Sequence, residues 1–437
     1  MQQYCTTNQT LFVTLDIGKN VHWVGVYAGF DLKEVVPPFK VRSNRQGFGR
    51  VTTMLDALLA CGQYEQVVLG HEPTGIYHEA WARELYDRYQ PQREGTSEPR
   101  LDYRFLNPLA SKRRREALNN GRKRKTDPID LKAIAYCLRD GQGQPAFLAT
   151  GQELQFHLWG KAYRNTERER RQLTRTLLSQ VDRLWPGAVV NIKRFQKMHP
   201  ELETPVPLVL SKPLERQRVQ AILNHCPNPH QLLALGQEGI QTFFRQHIGR
   251  CGSVTAKLVY GLLQNAVLPP PEVAHLLADY LQADFQRYLS LNQRLETLKQ
   301  QAQILVPDSP AAVLTTIPGL SPFLAARYLA YLGHPQRFLA PGQIWAFAGF
   351  DLITNESGDF RRLGKITKKG AAGLRDTLFL IGFHMANQIP AMTRLKNRAV
   401  ERGKGKIGAT IHVAQKANRI CHHLLFHQIP FDPRKLR

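Results

Sequence analysis

Short apolar runs rich in β-branched and aromatic residues recur in the first third of the chain, separated by polar turns. Residues 11–16 (LFVTLD) and 21–28 (VHWVGVYA) are β-rich runs joined by the turn IGKN, which predicts a hairpin. Residues 34–41 (EVVPPFKV) predict a third strand, and two later runs, 66–72 (QVVLGHE) and 103–108 (YRFLNP), predict a fourth and a fifth. The first third therefore contains the strands of a sheet.

Apolar residues at helical spacing separate the later strands. The pattern predicts helices over residues 47–62, closed by Gly62, over 78–89 and over 127–140. Three strands in hairpins, followed by helix, strand, helix, strand and helix, is the element order of a ribonuclease H-like α/β sheet. We therefore predict a ribonuclease H-like domain over residues 1–145.

From about residue 152 the chain changes to long, charge-rich helical segments. Residues 281–305 contain a heptad seam, formed by Leu281, Tyr288, Leu291, Leu295, Leu298, Ala302 and Leu305. Residues 153–185 have the pattern of its partner helix. Two alternatives remain: the helices pack on each other within one chain, or they form a stalk for dimerisation. In either case the pattern predicts a helical, coiled-coil region over residues 146–308.

The break VPDSP precedes a C-terminal helical domain, which we predict over residues 309–437. In TTIPGLSPFLAARYLAYLG, Pro318 and Gly319 form a tight turn that opens a helix. The turn has the pattern of a helix-hairpin-helix-like element, whose backbone N–H groups hold a phosphate. A plain packing turn between two helices fits equally well. The predicted fold class is thus α/β plus all-α.

The charge of the chain indicates a polyanionic partner. Its 437 residues contain 59 Lys and Arg against 35 Asp and Glu, which gives a formal net charge of +24, and 43% of the residues are hydrophobic. Such an excess of positive charge favours nucleic-acid binding. Small nucleoid-packing and ribosomal proteins share this charge, but the present chain is long enough to build a catalytic site.

The cysteines indicate neither a zinc knuckle nor a disulfide framework, because the six of them are scattered without a CxxC pair. The sequence shows no signal-peptide pattern and no run of about 18 uncharged apolar residues. We therefore expect a protein of the reducing bacterial cytoplasm, associated with the nucleoid and not with a membrane.

Four acidic residues fall at the ends of predicted elements of the first domain. Asp16 ends the first strand, Glu72 ends the fourth, and Asp127 and Asp130 share one face of the first turn of the last helix. In a ribonuclease H-like sheet the first and fourth strands end side by side, and the last helix packs across them. We therefore expect the four carboxylates to converge.

These four acids have the chemistry of a magnesium site, and we predict that they are both the catalytic acids and the metal ligands. Mg²⁺ takes oxygen ligands, and two such ions about 3.5–4 Å apart stabilise the entering and leaving oxygens of a phosphodiester displacement. Each acid also has a structural alternative. Asp127 after Thr126 suits a helix N-terminus, and Glu72 before Pro73 suits the end of a strand.

A basic run directly precedes the acidic pair. Eight basic residues and one acid, Glu116, lie between positions 112 and 125. The basic side chains would hold a phosphate backbone while the acids behind them hold the metal that acts on one phosphate. The alternative is an RNA-binding arm with no catalytic role. The basic residues are Lys112, Arg113, Arg114, Arg115, Arg122, Lys123, Arg124 and Lys125.

Several segments resemble the DEDD transposases of the insertion sequence 110 family, which includes the pilin-gene invertases. They are LDIGKN with Asp16, HEPTGIY with Glu72, NPLASKRRR, KTDPIDLKAIA with Asp127 and Asp130, TTIPGL, and WAFAGFDLITNESGDFRRLGKITKKGAAGLRDTL. The match covers roughly residues 11–140 and 311–390, in the family's order. The resemblance implies a resolvase-like (RuvC-like) ribonuclease H fold with an acidic tetrad that uses Mg²⁺.

The resemblance also implies that a serine of the C-terminal domain is the nucleophile. The family's Ser-Gly pair corresponds to Ser357 and Gly358, and Ser357 would attack DNA and form a phosphoserine intermediate. A covalent phosphoester keeps the bond energy until a second strand takes over, and the chain has no GxxxxGK[ST] loop for nucleotide-driven chemistry. Taken alone, Ser357 also fits a turn cap in the polar loop NESGD. Five basic residues follow that would neutralise phosphates: Arg361, Arg362, Lys365, Lys368 and Lys369.

By the same resemblance, a structured RNA encoded by the same genetic element guides the enzyme by pairing with donor and target DNA. Recombination that joins four strands implies an assembly of two to four subunits. The predicted function is RNA-guided DNA transposition and recombination. Two alternatives remain: a metal-dependent DEDD nuclease of the junction-resolvase kind that cuts with water, and a non-enzymatic RNA-binding protein.

Overall fold

The chain folds into two units, Met1–Leu148 and Ala149–Arg437, in the computed structural model. The structure describes residues 9–73, 75–89, 100–119, 126–146, 148–149, 151–187, 192–202, 214–249, 252–357 and 360–436. Within these ranges, the side chains at 100, 192, 253, 336, 353–357 and 360–365 are not described. The predicted division into three domains stays a prediction.

A six-stranded mixed sheet with the strand order β3-β2-β1-β4-β5-β6 forms the centre of the first unit. The strands are β1 (Thr10–Ile17), β2 (Val21–Ala28), β3 (Lys33–Arg42), β4 (Gln66–His71), β5 (Arg100–Phe105) and β6 (Gln144–Pro145). Strands β1, β4 and β5 are parallel, and β2, β3 and β6 pair antiparallel with their neighbours. This sheet, followed by many helices, fits the predicted ribonuclease H-like fold.

Helices cover both faces of the sheet. They are α1 (Arg45–Ala60), α2 (Glu79–Tyr89), α3 (Pro108–Leu118) and α4 (Asp127–Arg139). Helices α1 and α2 contribute Leu55 and Leu85 to one core. The other face of the sheet packs against α4, where Phe12 and Val68 contact a row of its apolar residues that includes Leu131.

Helix α3 was not predicted, because its sequence, PLASKRRREAL, has no apolar face and was interpreted as a basic nucleic-acid contact. The segment is helical because its N-terminus is well capped. The side chain of Asn107 accepts a hydrogen bond from the backbone N–H of Leu109 at 2.9 Å, and Pro108 occupies the first turn.

The second unit is mainly helical. Its long helices are α5 (Gly151–Leu184) and α11 (Pro271–Leu305), and between them lie α6 (Ile192–Met198), α7 (Gln217–His225), α8 (Pro229–Ala234), α9 (Gly236–Ile248) and α10 (Ser253–Asn265). The chain continues through α12 (Pro322–Leu332), α13 (Pro341–Phe347), the strands β7 (Leu352–Ser357) and β8 (Phe360–Ile366), α14 (Ala372–Gln388), α15 (Pro390–Glu401) and α16 (Lys406–His427). Short 3₁₀ turns lie at Pro310–Thr316, Pro335–Arg337 and Pro433–Lys435.

Helices α5 and α11 pack antiparallel within one chain. The indole N–H of Trp159 donates to the carbonyl of Leu298 at 2.8 Å, and the Gln180 amide donates to Asp284 at 2.8 Å. The heptad residues from Leu281 to Ala302 are buried along this helix. The intrachain alternative therefore accounts for the burial of the seam, and a dimerisation stalk stays a prediction.

Two hydrophobic cores lie along this helix pair. The C-terminal half of α5 and the N-terminal half of α11 pack with α7, α8, α9 and α10. Their other halves pack with α12, α13, α14 and α16. The cysteines in the described ranges, Cys61, Cys137, Cys226 and Cys421, carry free thiols. Among the residues that the structure describes, no helix has the length and apolar character needed to cross a membrane.

Candidate active site

Asp16 and Glu72 come together because parallel neighbouring strands carry them. Strands β1 and β4 are parallel, with Leu15 opposite His71. The next residue of each strand therefore lies at the same end of the sheet, where both strands finish. Those next residues are Asp16 and Glu72, and both are partly buried. The predicted adjacency of the two strand ends is therefore present.

Helix α4 brings Asp130 to the same place. The backbone N–H of Asp130 donates to the carbonyl of Thr126 at 3.0 Å, which places Asp130 in the first helical turn. Its side chain is only 10% exposed. The helix approaches β4 closely at Gly70, where an added Cβ would lie 2.6 Å from the side chain of Leu138. A glycine at this position therefore lets the helix carry its acid to the strand end.

Helix α3 adds two polar side chains to this group, one turn apart on the same helical face. The side chain of Ser111 hydrogen-bonds the Glu72 carboxylate. The Arg115 guanidinium donates to Oδ1 of Asp130 at 2.7 Å. We name Asp16, Glu72 and Asp130, with Ser111 and Arg115, the acidic cluster.

The electrostatics of the acidic cluster disfavour negative charge on Glu72. Burial raises the pKa of Glu72 above its ordinary value, and the carboxylates of Asp16 and Asp130 raise it further. The hydrogen bond from Ser111 and the positive charge of Arg115 act in the opposite direction on the same pKa. The three acids are thus close enough to repel one another, and any added cation would relieve the repulsion.

The structure groups three of the four predicted acids. Asp127 is the first residue of α4, one turn before Asp130. In the described part of the chain, no three His, Cys, Asp or Glu side chains are arranged to hold a metal ion. The donor chemistry of Asp16, Glu72 and Asp130 nevertheless fits a divalent cation, which prefers carboxylate oxygens. The catalytic and metal-binding roles of the four acids stay predictions.

His71, the residue before Glu72, supports the acidic cluster, and no motif in the sequence indicated this role. Its Nδ1 lies 3.0 Å from the carbonyl oxygen of Glu72, and its Nε2 lies 2.7 Å from the hydroxyl of Tyr103. Because a carbonyl only accepts, Nδ1 carries the proton and Nε2 accepts from Tyr103. Complete burial lowers the pKa of His71 to about 4, so the ring is neutral at pH 7. His71 therefore fixes the backbone at Glu72.

Ser357 lies in a β-hairpin and not in the polar loop that we predicted. Strands β7 and β8 pair antiparallel, and Ser357 ends β7 opposite Phe360. Gly358 and the side chain of Ser357 lie outside what the structure describes, so the nucleophilic role of Ser357 stays a prediction.

The base of this hairpin, between α13 and α14, is held by one backbone hydrogen bond and by the side chain of Arg375. The N–H of Thr367 donates to the carbonyl of Asp351 at 2.7 Å. Arg375 of α14 donates from the same Nη1 to the carbonyls of Ala348, at 2.9 Å, and Lys368, at 3.3 Å. Arg375 thus joins the two chain segments that enter and leave the hairpin. The sequence did not predict this role of Arg375, because both acceptors are backbone atoms.

The basic residues predicted to bind nucleic acid divide into two groups. Lys112 and Arg113 are exposed on α3, and Lys368 and Lys369 are exposed between β8 and α14. Two others form ion pairs with residues of α4 or its end, Arg114 with Asp140 and Arg115 with Asp130, and Lys112 also lies 4.0 Å from Glu116 on its own helix. Outside the described residues or side chains lie Arg122, Lys123, Arg124, Lys125, Arg361, Arg362 and Lys365. Nucleic-acid binding by the whole set stays a prediction.

Comparison with known proteins gives three findings. Residues 13–186 match a family model described as a transposase, of the DEDD type named for insertion sequence IS110. Residues 311–396 match the model of the transposase IS116/IS110/IS902 family. A relative from Streptomyces coelicolor, described as an insertion element IS110 uncharacterized 43.6 kDa protein, is 24% identical over 232 residues, 52% of this chain. The match spans 56% of that relative, little more than half its length.

Proposed function

Because the chain belongs to the insertion sequence 110 family of transposases, we propose that it cuts and rejoins DNA strands to move a genetic element. The observation that supports this function most directly is the acidic cluster. Asp16, Glu72 and Asp130 come from three separate segments and interact where β1 and β4 end. Their mutual repulsion is the usual sign of a carboxylate site that works with a cation.

In the proposed mechanism, Asp16, Glu72, Asp127 and Asp130 hold Mg²⁺. Bound there, the cation would neutralise the phosphate and lower the pKa of the attacking hydroxyl. The protein residues do the positioning. His71 fixes the backbone of Glu72, and the Ser111 hydroxyl orients the Glu72 carboxylate. These contacts hold an acid that would otherwise turn away from its like-charged neighbours.

Ser357 is the proposed nucleophile. Its hydroxyl oxygen forms a bond to phosphorus, the bond from phosphorus to the 3′ oxygen breaks, and the leaving oxygen takes up a proton. The product is a 5′-phosphoserine. In the second step a 3′ hydroxyl of another strand attacks the phosphoserine, the serine–phosphorus bond breaks, and Ser357 regains its proton. The hairpin base, anchored by Arg375, supports this role because it fixes the segment that bears the serine.

The finer parts of the proposal concern partners and assembly. A net charge of +24 supports simultaneous binding of donor DNA, target DNA and a structured guide RNA from the same element. The proposed assembly is a homo-oligomer of two to four copies, because four strands must be exchanged. The resolvase-like (RuvC-like) form of the fold and a phosphate-binding helix-hairpin-helix-like turn at Pro318 and Gly319 belong to the same proposal.

The covalent step is tested with end-labelled element DNA. Purified protein with its copurified RNA is incubated with that DNA and Mg²⁺, and the products are separated on a denaturing gel. With the natural chain we expect the label to migrate with the protein. With Ser357→Ala we expect no label to migrate with the protein. A Ser357→Ala protein that still cuts at the natural rate would instead establish hydrolysis by a DEDD nuclease.

The acids are tested in the same assay with Asp16→Asn and Glu72→Gln, which should abolish cutting and leave DNA binding intact. Asp31→Asn is the matched control. Asp31 is exposed and follows β2, whose last residue, Ala28, pairs with Leu11 at the start of β1. Asp31 therefore lies at the opposite end of the strands from Asp16. Full cutting by the Asp16 and Glu72 variants would show that these acids are not catalytic. Absence of cutting by the natural chain, with RNA binding intact in all variants, would favour a non-enzymatic RNA-binding protein.

Guidance by RNA is tested by changing the RNA alone. Protein stripped of nucleic acid is recombined with copurified RNA or with unrelated RNA of equal length, and strand transfer into a target library is sequenced. We expect transfer only with the copurified RNA, at sites complementary to it. Transfer that is independent of the added RNA would reject the guidance and leave the transposase function in place.

A further inference from the structure

Arg115 occupies an unusual place for a residue of a basic, nucleic-acid-binding segment. Its neighbours Lys112 and Arg113 on α3 are exposed, whereas the side chain of Arg115 is 21% exposed and its guanidinium bonds Asp130 at 2.7 Å. Asp130 is itself 10% exposed, so the pair is shielded from water on most sides. Within a partly buried site such a charge-assisted bond is stronger than one on the surface.

The same guanidinium acts on the whole acidic cluster. Its charge opposes the repulsion that Asp16 and Asp130 exert on Glu72. It therefore does part of what a divalent cation would do, with a single charge. An oxygen of Asp130 that bonds Arg115 is less available to a metal ion.

We propose that Arg115 is a latch that competes with divalent cations for Asp130 and leaves Asp130 when a nucleic-acid phosphate binds to α3. This inference rests on the proposed function, since it concerns the same metal site. The latch makes metal binding depend on the substrate: without nucleic acid the acidic cluster holds an arginine, and with nucleic acid it holds Mg²⁺.

A phosphate can displace the carboxylate because both groups match the guanidinium fork. Arg binds carboxylate and phosphate oxygens with the same paired N–H groups, so the exchange costs little. The exposed charges of Lys112 and Arg113 lie on the same helix and would bring the phosphate backbone to Arg115. Once Arg115 has turned to the phosphate, the Asp130 oxygen that it held becomes available to the cation.

The thermodynamic consequence is a reciprocal coupling between the two ligands. If nucleic acid strengthens metal binding by a given factor, metal strengthens nucleic-acid binding by the same factor. Removing Arg115 should remove the competitor and the coupling together. Metal affinity without nucleic acid should then rise, whereas the loss of a purely structural arginine would lower it or leave it unchanged.

The test measures Mn²⁺ binding by isothermal titration calorimetry on the full chain, stripped of metal and nucleic acid, with and without a DNA duplex that lacks the element end. For Arg115→Gln we expect about tenfold tighter Mn²⁺ binding without DNA. We also expect the gain on adding DNA, clear in the natural protein, to disappear. Arg139→Gln is the control, because Arg139, with a side chain 16% exposed, forms an ion pair with Asp140, 27% exposed, at the far end of α4.

Unchanged or weaker Mn²⁺ binding by Arg115→Gln, with a normal melting curve, would overturn the latch. If that variant does not fold, Arg115→Lys replaces it; it keeps the charge without the fork, and its Mn²⁺ affinity should lie above that of the natural protein. Equal or lower affinity for Arg115→Lys would likewise overturn the latch. Glu72→Gln separates the two ideas: Mn²⁺ binding that this substitution does not weaken would show that the proposed metal site itself is absent.

Discussion

Gly349 and Gly370 cross at the base of the β7–β8 hairpin. A Cβ added to Gly370 would lie 2.3 Å from the carbonyl oxygen of Phe347 and 2.8 Å from the backbone nitrogen of Gly349. Gly349 has a positive φ of 75°, a conformation that other residues rarely adopt. The close crossing of two backbones, bridged by Arg375, determines where the hairpin with Ser357 leaves the helical core.

Gly370→Ala should therefore displace the hairpin base. The nearest neighbours of its new Cβ are backbone atoms, which cannot turn aside, so we expect the free energy of unfolding to fall by roughly 1–3 kcal/mol. Strand joining should fall while DNA binding persists. The control is Gly342→Ala in α13, where an added Cβ meets nothing within 4 Å and melting should not fall. Equal melting temperatures for the two variants would contradict the close crossing.

Gly70→Ala should push α4 away from β4. The added Cβ would lie 2.6 Å from the fully buried side chain of Leu138, and overpacking of this kind destabilises by about 1–3 kcal/mol. A double-mutant cycle with Leu138→Ala, read by chemical denaturation, measures the contact. We expect the double variant to be more stable than the sum of the two single losses predicts. Simple additivity would show that the two positions do not interact.

Glu72→Gln should raise the melting temperature of the metal-free protein and abolish its chemistry. Burial and the charges of Asp16 and Asp130 disfavour the Glu72 carboxylate, and an amide of the same shape removes the charge. We expect cleavage to fall by at least about 100-fold, as for loss of a metal-site residue. Differential scanning calorimetry in a chelator, beside the cleavage assay, measures both effects. A lower melting temperature would mean that the charge of Glu72 stabilises the fold.

The first unit should lose stability in mild acid. His22 is fully buried, with its ring edge-on to Trp81 at 4.4 Å between centroids, and burial lowers its pKa below 6.5. The folded state disfavours the charged ring. The free energy of unfolding therefore keeps its full value above pH 6.5, the pKa of histidine in the unfolded chain. It decreases as the pH falls below 6.5 toward the lowered pKa, since the unfolded chain then binds the proton more readily.

Thermal melting at pH 8 and at pH 5.5 tests this acid sensitivity with His22→Phe. We expect the natural protein to lose more stability between the two pH values than the variant does. Part of the loss should persist in the variant, because the pKa of His71 is also lowered by burial, to about 4. The comparison at pH 8, where both rings are neutral, gives the cost of the ring replacement itself. An identical pH dependence for both proteins would exclude a role for His22.

Much of the first unit could be predicted from local pattern. The β-rich runs in 11–16 and 21–28 indicated β1 and β2, and the apolar spacing in 127–140 indicated α4, because both signals are local in the sequence. Helix α3 was missed since it has no apolar face; its cap at Asn107, not its periodicity, marks it. Ser357 was placed in a loop because its polar neighbours resemble turn residues, whereas pairing with β8 makes the segment a strand.

By itself, the sequence determined most strands and helices of the first unit, the acidic residues at the ends of those elements, and the strong positive charge. Only the tertiary structure decided which charges meet. The pairing of Leu15 with His71 places Asp16 beside Glu72. The packing of α3 on α4 pairs Arg115 with Asp130, although the sequence predicted that Arg115 binds a phosphate. Such contacts join residues far apart in the chain, and no local period encodes them, because they depend on how already formed elements pack.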